Sequence, residues 1–281
     1  MGWTGPPRAN RSNRGGCRIQ WMREILSDLV AEEQHLDQFL QGISTRDWKK
    51  KTPAPGWTIQ DQVSHLAHVE GFAAEVIEQG QLRIDEENIT DYDAWTAKGP
   101  AEGRGQRHQE VIEWWRHGRA DVVDALSHML ATDRIPWICG EMSARSFATM
   151  RLMETWAHGI DIKVAILGRM TPIPEDDLEE DEEDPIADTP RLRHIAWLGQ
   201  KSLPFAFEQA GETYPEQGIR VELMGPKYAA WRFGPEDTDQ VIRGMAADWC
   251  RVVVLRQPAS ETGLKAVGSS AERALEIARA Y

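Results

Sequence analysis

Four stretches of this chain repeat apolar residues at helical spacing for 20 residues or more, and that pattern restricts the fold more than any other feature. In 22–42 the repeat runs through Ile25, Leu26, Leu29, Val30, Leu36, Phe39 and Leu40, and Gly42 ends it. In 59–79 it runs through Ile59, Val63, Leu66, Val69, Phe72 and Val76. Thr58 stands before this segment as an N-cap, and Asp61, three residues on, completes the pattern of a capping box. A third helix is expected over about 106–130, carrying Val111, Ile112, Trp115, Val122, Val123, Leu126 and Leu130. Ser143 caps a fourth, 144–167, which Gly168 ends. Each segment has one apolar face to bury. Four such helices joined by mostly polar connections imply a four-helix bundle. The connection 80–104 reads as irregular, with room for short helical turns.

The pattern changes after Gly168. Residues 175–188 carry ten acids and no base, which reads as a solvated linker. Residues 190–210 look helical. Segments 218–224 and 228–233 alternate like paired strands around a Gly225-Pro226 turn. A strand at 238–243, a helix at 245–256, a strand at 263–267 and a helix at 270–280 complete a small α+β unit. The fold class is therefore mixed: a helical bundle over 22–170, an acidic linker over 171–189, and the α+β domain over 190–281. Residues 1–21 are rich in Gly, Pro, Asn and Arg and read as a disordered leader, with Met22 as an alternative start.

Forty-five acidic against 32 basic residues give a net charge of −13, which disfavours phosphate backbones and anionic lipid as partners. No apolar run reaches the ~18 residues of a membrane helix, and the Arg-bearing N-terminus lacks the apolar stretch of a signal peptide. Three cysteines, Cys17, Cys139 and Cys250, form no disulfide framework and suit a reducing compartment. The expected location is the cytoplasm, and the expected state a monomer or homodimer.

The fourth helix holds Glu154 and His158 at i and i+4, so both project from one face, with Asp161 continuing it. A carboxylate and an imidazole at that spacing can share a divalent ion, as bundle metal sites do. His65 lies mid-helix beside Val63, Leu66 and Val69, where an imidazole needs a partner. Alone, a Glu and His at this spacing arise often by chance, and a lone histidine facing a core is more often a satisfied core side chain than a ligand. His68 lies one turn further on. Trp57, Trp137 and Trp156 could wall a pocket or fill the core. Cys139 precedes the N-terminus of the fourth helix, which would depress its pKa, although a buried, inert thiol is the commoner outcome.

Two motifs carry a family resemblance. Pro55-Gly56-Trp57-Thr58 through Asp61-Gln62-Val63-Ser64-His65-Leu66-Ala67, and Met142-Ser143 through Arg151-Leu152-Met153-Glu154-Thr155-Trp156-Ala157-His158-Gly159, resemble the two signatures of the DinB-like, mycothiol-dependent maleylpyruvate isomerase superfamily. The similarity is to an actinobacterial branch of metal-binding proteins. Arg193 through Gly199, Trp231 through Asp237 and Asp248-Trp249-Cys250 resemble that branch's C-terminal domain, of a wyosine-base-formation type related to sterol-carrier-like folds. The resemblance spans about 22–281. It implies that His65, Glu154 and His158 bind Zn2+, or another divalent ion such as Ni2+ or Fe2+. It further implies that mycothiol serves as cosubstrate, in an isomerase or S-transferase acting on a small molecule. The acidic segment is longer than in the branch. Trp137-Ile138-Cys139-Gly140-Glu141 holds Cys and Glu where Gly and Pro types are expected.

Three ligands leave a tetrahedral ion one open position, as in catalytic rather than structural zinc sites. Asp161 is a candidate to orient a ligand imidazole. Three readings follow. The first is a metal-dependent, thiol-dependent isomerase or transferase. The second is a tailoring enzyme of secondary metabolism with the ion as Lewis acid. The third is a non-enzymatic metal- or ligand-binding module.

Overall fold

A computed structural model describes residues 13–174, 177–179 and 183–280. Four long helices form the bundle: α1 (Asn13–Gly42), α2 (Ile59–Gln79), α6 (His108–Ser127) and α7 (Ala144–Leu167). Two of them match their expected limits, and local chemistry is the reason. The Thr58 hydroxyl accepts from Asp61 N while the Asp61 carboxylate accepts from Thr58 N, closing the capping box of α2. Ser143 Oγ accepts from Ser146 N at the head of α7, and Gly168 takes the left-handed conformation that ends it. The first helix departs from expectation. It begins at Asn13, inside the stretch read as leader, while residues 1–12 lie outside the described residues. The third helix stops at Ser127. A short hairpin, β1 (Arg134–Ile135) with β2 (Met142–Ser143), leads into α7.

The 80–104 connection is more ordered than its polarity suggests. It folds into α3 (Gln81–Glu87), α4 (Tyr92–Thr96) and α5 (Lys98–Gly103). The last of these lies directly on α2, because Gly99 and Gly103 have no side chain to obstruct it. A Cβ on Gly99 would stand 2.6 Å from the Ser64 carbonyl oxygen, and one on Gly103 would stand 1.8 Å from Ser64 Oγ. This close approach brings α4 and α5 over His65.

Two helices, α8 (Leu192–Lys201) and α9 (Leu203–Gln209), lead into a four-stranded sheet. Its order is β4 (Ala230–Phe233), β3 (Arg220–Met224), β5 (Val241–Met245), β6 (Lys265–Val267). Only the β3–β5 pair is parallel. The fourth strand starts later than its alternation implies, because 226–228 forms a 3-10 turn with Lys227 and Tyr228 at positive φ. The helices α10 (Ala246–Val253) and α11 (Ser269–Ile277) pack with α8 on the face bearing Val221, Leu223 and Ile242. The molecule is thus a helical bundle followed by a small α+β sheet unit.

The two parts share one continuous core. Leu29 and Met153 of the bundle belong to the same apolar cluster as Ile195, Trp249 and Val253. Polar contacts cross the same seam: Arg191 to Glu32 at 2.6 Å and His194 to Asp28 at 2.8 Å. The Arg145 guanidinium stacks 4.0 Å from the Trp21 ring and 4.7 Å from the Trp197 ring, joining α7, α1 and α8. The acidic segment is not wholly a solvated linker. Asp184 is buried, accepts from Arg169 Nη1 and Nη2 and from the backbone N of Ile173 and Ile186, and is held at about 2 despite burial.

Candidate metal centre

His65 from α2 and the Glu154–His158 pair from α7 converge across the bundle. One ligand atom of each, a ring nitrogen or a carboxylate oxygen, lies within 4.8 Å of the others. His65 Nε2 is 3.8 Å, and His158 Nε2 3.4 Å, from Glu154 Oε2. The imidazole rings are 4.7 Å apart between centroids. Both histidines are buried and Glu154 is half-buried. Trp57 covers one side, its ring stacked on His158 at 6.1 Å and tilted against His65 at 5.1 Å.

The other ring nitrogen of each histidine is occupied. His65 Nδ1 faces the Thr96 carbonyl oxygen at 3.3 Å, a partner that α4 delivers. His158 Nδ1 bonds Gln62 Oε1. The direction of that bond follows from the amide's other end. Gln62 Nε2 donates to Thr52 Oγ1 at 2.8 Å and reaches Asp161 Oδ2 at 3.4 Å, so its oxygen must accept. His158 therefore carries a proton on Nδ1, and the Nε2 atoms of both rings face Glu154. Such tautomer fixing by outer partners is the usual condition of a ligating imidazole.

Asp161 does not touch the imidazole as the sequence suggested. Gln62 stands between them. The Asp161 carboxylate is instead held by Arg256, whose Nη2 is 2.8 Å and Nε 3.0 Å away. Arg256 follows Leu255, a non-glycine residue at φ 58° where the chain turns out of α10. A row of contacts thus runs from the C-terminal unit to His158 through Arg256, Asp161 and Gln62.

The protonation states suit the geometry. Burial would raise Glu154, but the His158 and His65 side chains that face its carboxylate, with Arg151 nearby, outweigh burial and hold the carboxyl well below its ordinary range. Burial lowers His158, leaving its imidazole neutral near pH 7. One carboxylate and two imidazoles, each with its Nε2 turned toward that carboxylate, are the donor set that a divalent ion such as zinc takes, and the residues fit that group.

The other sequence candidates lie elsewhere. His68 faces the Trp95 ring at 5.4 Å, and burial lowers its pKa. Trp137 packs edge-on against Phe147 in the core, and Trp156 turns to the opposite side of α7. Cys139 reaches solvent, yet the groups packed round its sulfur desolvate it and push the thiol up rather than down. Sequence reasoning missed Gln62, Thr96 and Arg256. Gln62 stood in the quoted motif three residues before His65, the single available signal.

A family model described as the mycothiol maleylpyruvate isomerase N-terminal domain matches residues 29–163. Two uncharacterized proteins of Mycobacterium tuberculosis, MT0041 of strain CDC 1551 / Oshkosh and Rv0036c of strain ATCC 25618 / H37Rv, are each 34% identical over 265 residues, 92% of this chain and 95% of theirs. The crystal structure of the mycothiol-dependent maleylpyruvate isomerase superposes with a TM-score of 0.56 at 18% identity, over 92% of this chain and 96% of that one. A histidine-to-alanine mutant of that isomerase gives 0.55 at 17% identity, over 87% and 92%. With its bundle signatures, its fold and this full-length relationship, the chain belongs to the DinB-like, mycothiol-dependent maleylpyruvate isomerase superfamily.

Proposed function

We propose that this protein is a divalent-metal-dependent enzyme that activates the thiol of mycothiol, or of a similar small thiol, for isomerisation or S-transfer on a small electrophile. The observation that carries this reading is the convergence of His65, Glu154 and His158, with both Nδ1 atoms engaged and both Nε2 atoms turned inward. Family membership supports the thiol, since the solved relative is a mycothiol-dependent isomerase.

When bound, the ion would leave a site charge near +1 and hold a thiol as thiolate, which a free thiol of pKa ~8.5 is not at pH 7. The chain's own residues do the rest. His65 and His158 present their Nε2 atoms, Glu154 stays ionised, and Gln62 and Thr96 hold the two rings in register. Trp57 covers one side of the donors and excludes water there. For isomerisation, the sulfur adds to one carbon of an activated double bond and the electron pair moves into the conjugated carbonyl. The resulting single bond rotates, the pair returns, and the sulfur leaves. No oxidant or reductant is consumed. For S-transfer, the sulfur displaces a leaving group instead.

The test is cobalt substitution followed by thiol titration. Mycothiol, or a simple thiol at higher concentration, should produce an intense near-ultraviolet charge-transfer band, because cobalt–thiolate bonds give one and oxygen ligands do not. The same preparation should isomerise maleylpyruvate or couple mycothiol to an electrophile. A cobalt spectrum indifferent to every thiol would overturn the thiol mechanism.

A further inference from the structure

Trp156, Ile160 and Lys163 follow one another at helical spacing and share the side of α7 turned away from Glu154 and His158. That side closes a small cavity against α1, residues 185–191 and Arg251 of α10. The cavity measures about 20 Å³, enough for one water or one end of a small molecule. It shares His35, Asp188 and Arg191 with an outer cleft of about 810 Å³.

Not every charge in this wall has a partner in contact. Glu32 is taken by Arg191 at 2.6 Å, and Arg251 lies 3.7 Å from Asp188 and 3.4 Å from Asp248. Asp184, which acts on Lys163 from further off, is gripped by both terminal nitrogens of Arg169. Lys163 is 6% exposed, and no carboxylate among the described residues lies within ion-pair distance of its ammonium. Its polar contact is His35 Nδ1 at 3.4 Å. Burial, and then Lys163 itself, lower His35, so that ring is a neutral acceptor. Arg251 is 4% exposed, and its Nε has no hydrogen-bond partner among the described residues. Arg191 and Arg251 therefore have carboxylate partners, whereas the Lys163 ammonium has none in contact among the described residues. That ammonium and the Arg251 Nε are spare donors on two side chains that are each more than nine-tenths buried. A buried charge left so is costly unless something pairs it.

We propose that this cavity is a second ligand site, separate from the metal centre, which takes a small organic monocarboxylate. Its carboxylate is received by Lys163 and Arg251, and its body runs past His35 and Arg191 into the outer cleft. A carboxylate supplies the counter-ion that the Lys163 ammonium lacks, whereas a cation would be repelled by it. Trp156 and Ile160 supply an apolar floor that favours a carbon skeleton over a hydrated inorganic ion. Because the walls come from α1, α7, α10 and the segment before α8, occupancy would brace the bundle against the sheet unit.

The probe is butyrate, titrated calorimetrically into the full-length, metal-loaded protein to tens of millimolar, with butylammonium as the control. Saturable one-to-one binding of butyrate alone is expected. Lys163→Met keeps the side-chain volume and removes a buried charge, so it should fold. It should weaken butyrate at least about tenfold, the loss of one charged hydrogen bond. Burial lowers the amine to about 8, so wild-type affinity should fall by a similar factor between pH 7 and pH 10 without any mutation. His158→Ala should leave butyrate binding unchanged. No saturation, equal affinity in Lys163→Met, a flat profile across pH 7 to 10, or loss of binding in His158→Ala would each overturn the proposal.

Discussion

Gln62 Oε1 accepts the Nδ1 proton of His158, although the two residues lie 96 positions apart on facing helices. The amide can act only as acceptor there, because its nitrogen is committed to Thr52 and Asp161. Gln62→Leu keeps the volume and deletes that acceptor. Metal affinity should drop by about 10- to 100-fold, the usual effect of losing such an outer partner. Competition with a chromophoric chelator measures it, with circular dichroism to show that the bundle is kept. Arg256→Ala, one step further out, should give a smaller loss of the same kind. Unchanged affinity in Gln62→Leu would mean that the imidazole is oriented by packing alone.

Elemental analysis of protein prepared without an affinity tag should find about one divalent ion per chain. His65→Ala and His158→Ala should each lose most of it, since two donors hold a divalent ion far less well than three. Full occupancy in both variants would remove the trio as the site.

Glu70 gives the fold a pH dependence of its own. It is fully buried on α2, 3.8 Å from Arg151, and burial, with Glu154 adding, pushes it up to about 7. An unfolded chain ionises it near 4.5. The folded state therefore binds the extra proton between those values. The stability this contributes is whole below about 4.5 and is lost as pH rises through about 7. Glu70→Gln mimics the protonated form. Its unfolding free energy should match wild type at pH 5 and exceed it at pH 8, by on the order of 1–3 kcal/mol. Paired denaturant titrations at the two pH values check this, and a variant no more stable at pH 8 would refute it.

Limited proteolysis should cut first within 171–190, where helical periodicity stops. The fragments should nonetheless co-elute under native conditions, because the apolar core and the Arg191–Glu32 and Arg256–Asp161 pairs run across the cut. Early cleavage within 144–167 would contradict the bundle arrangement, and separation of the fragments would contradict the shared core.

Sequence alone determined the features whose causes are local. Helices α2 and α7 were legible to the residue because Thr58, Asp61, Ser143 and Gly168 act within one turn of their own backbone. The i,i+4 placement of Glu154 and His158 follows from helical geometry before anything packs. The order of strands and helices after residue 190 was legible from alternation, though their ends moved by a few residues. Tertiary structure decided what each polar side chain meets. Gln62 and Lys163 are polar positions on their helices, yet both are buried, because other parts of the chain cover them. The Thr96 carbonyl became a partner of His65 only because Gly99 and Gly103 let α5 lie on α2. Periodicity records which face of a helix is apolar. It does not record which distant segment will cover the polar one, and at this site that segment sets the tautomer, the charge balance and the access of water.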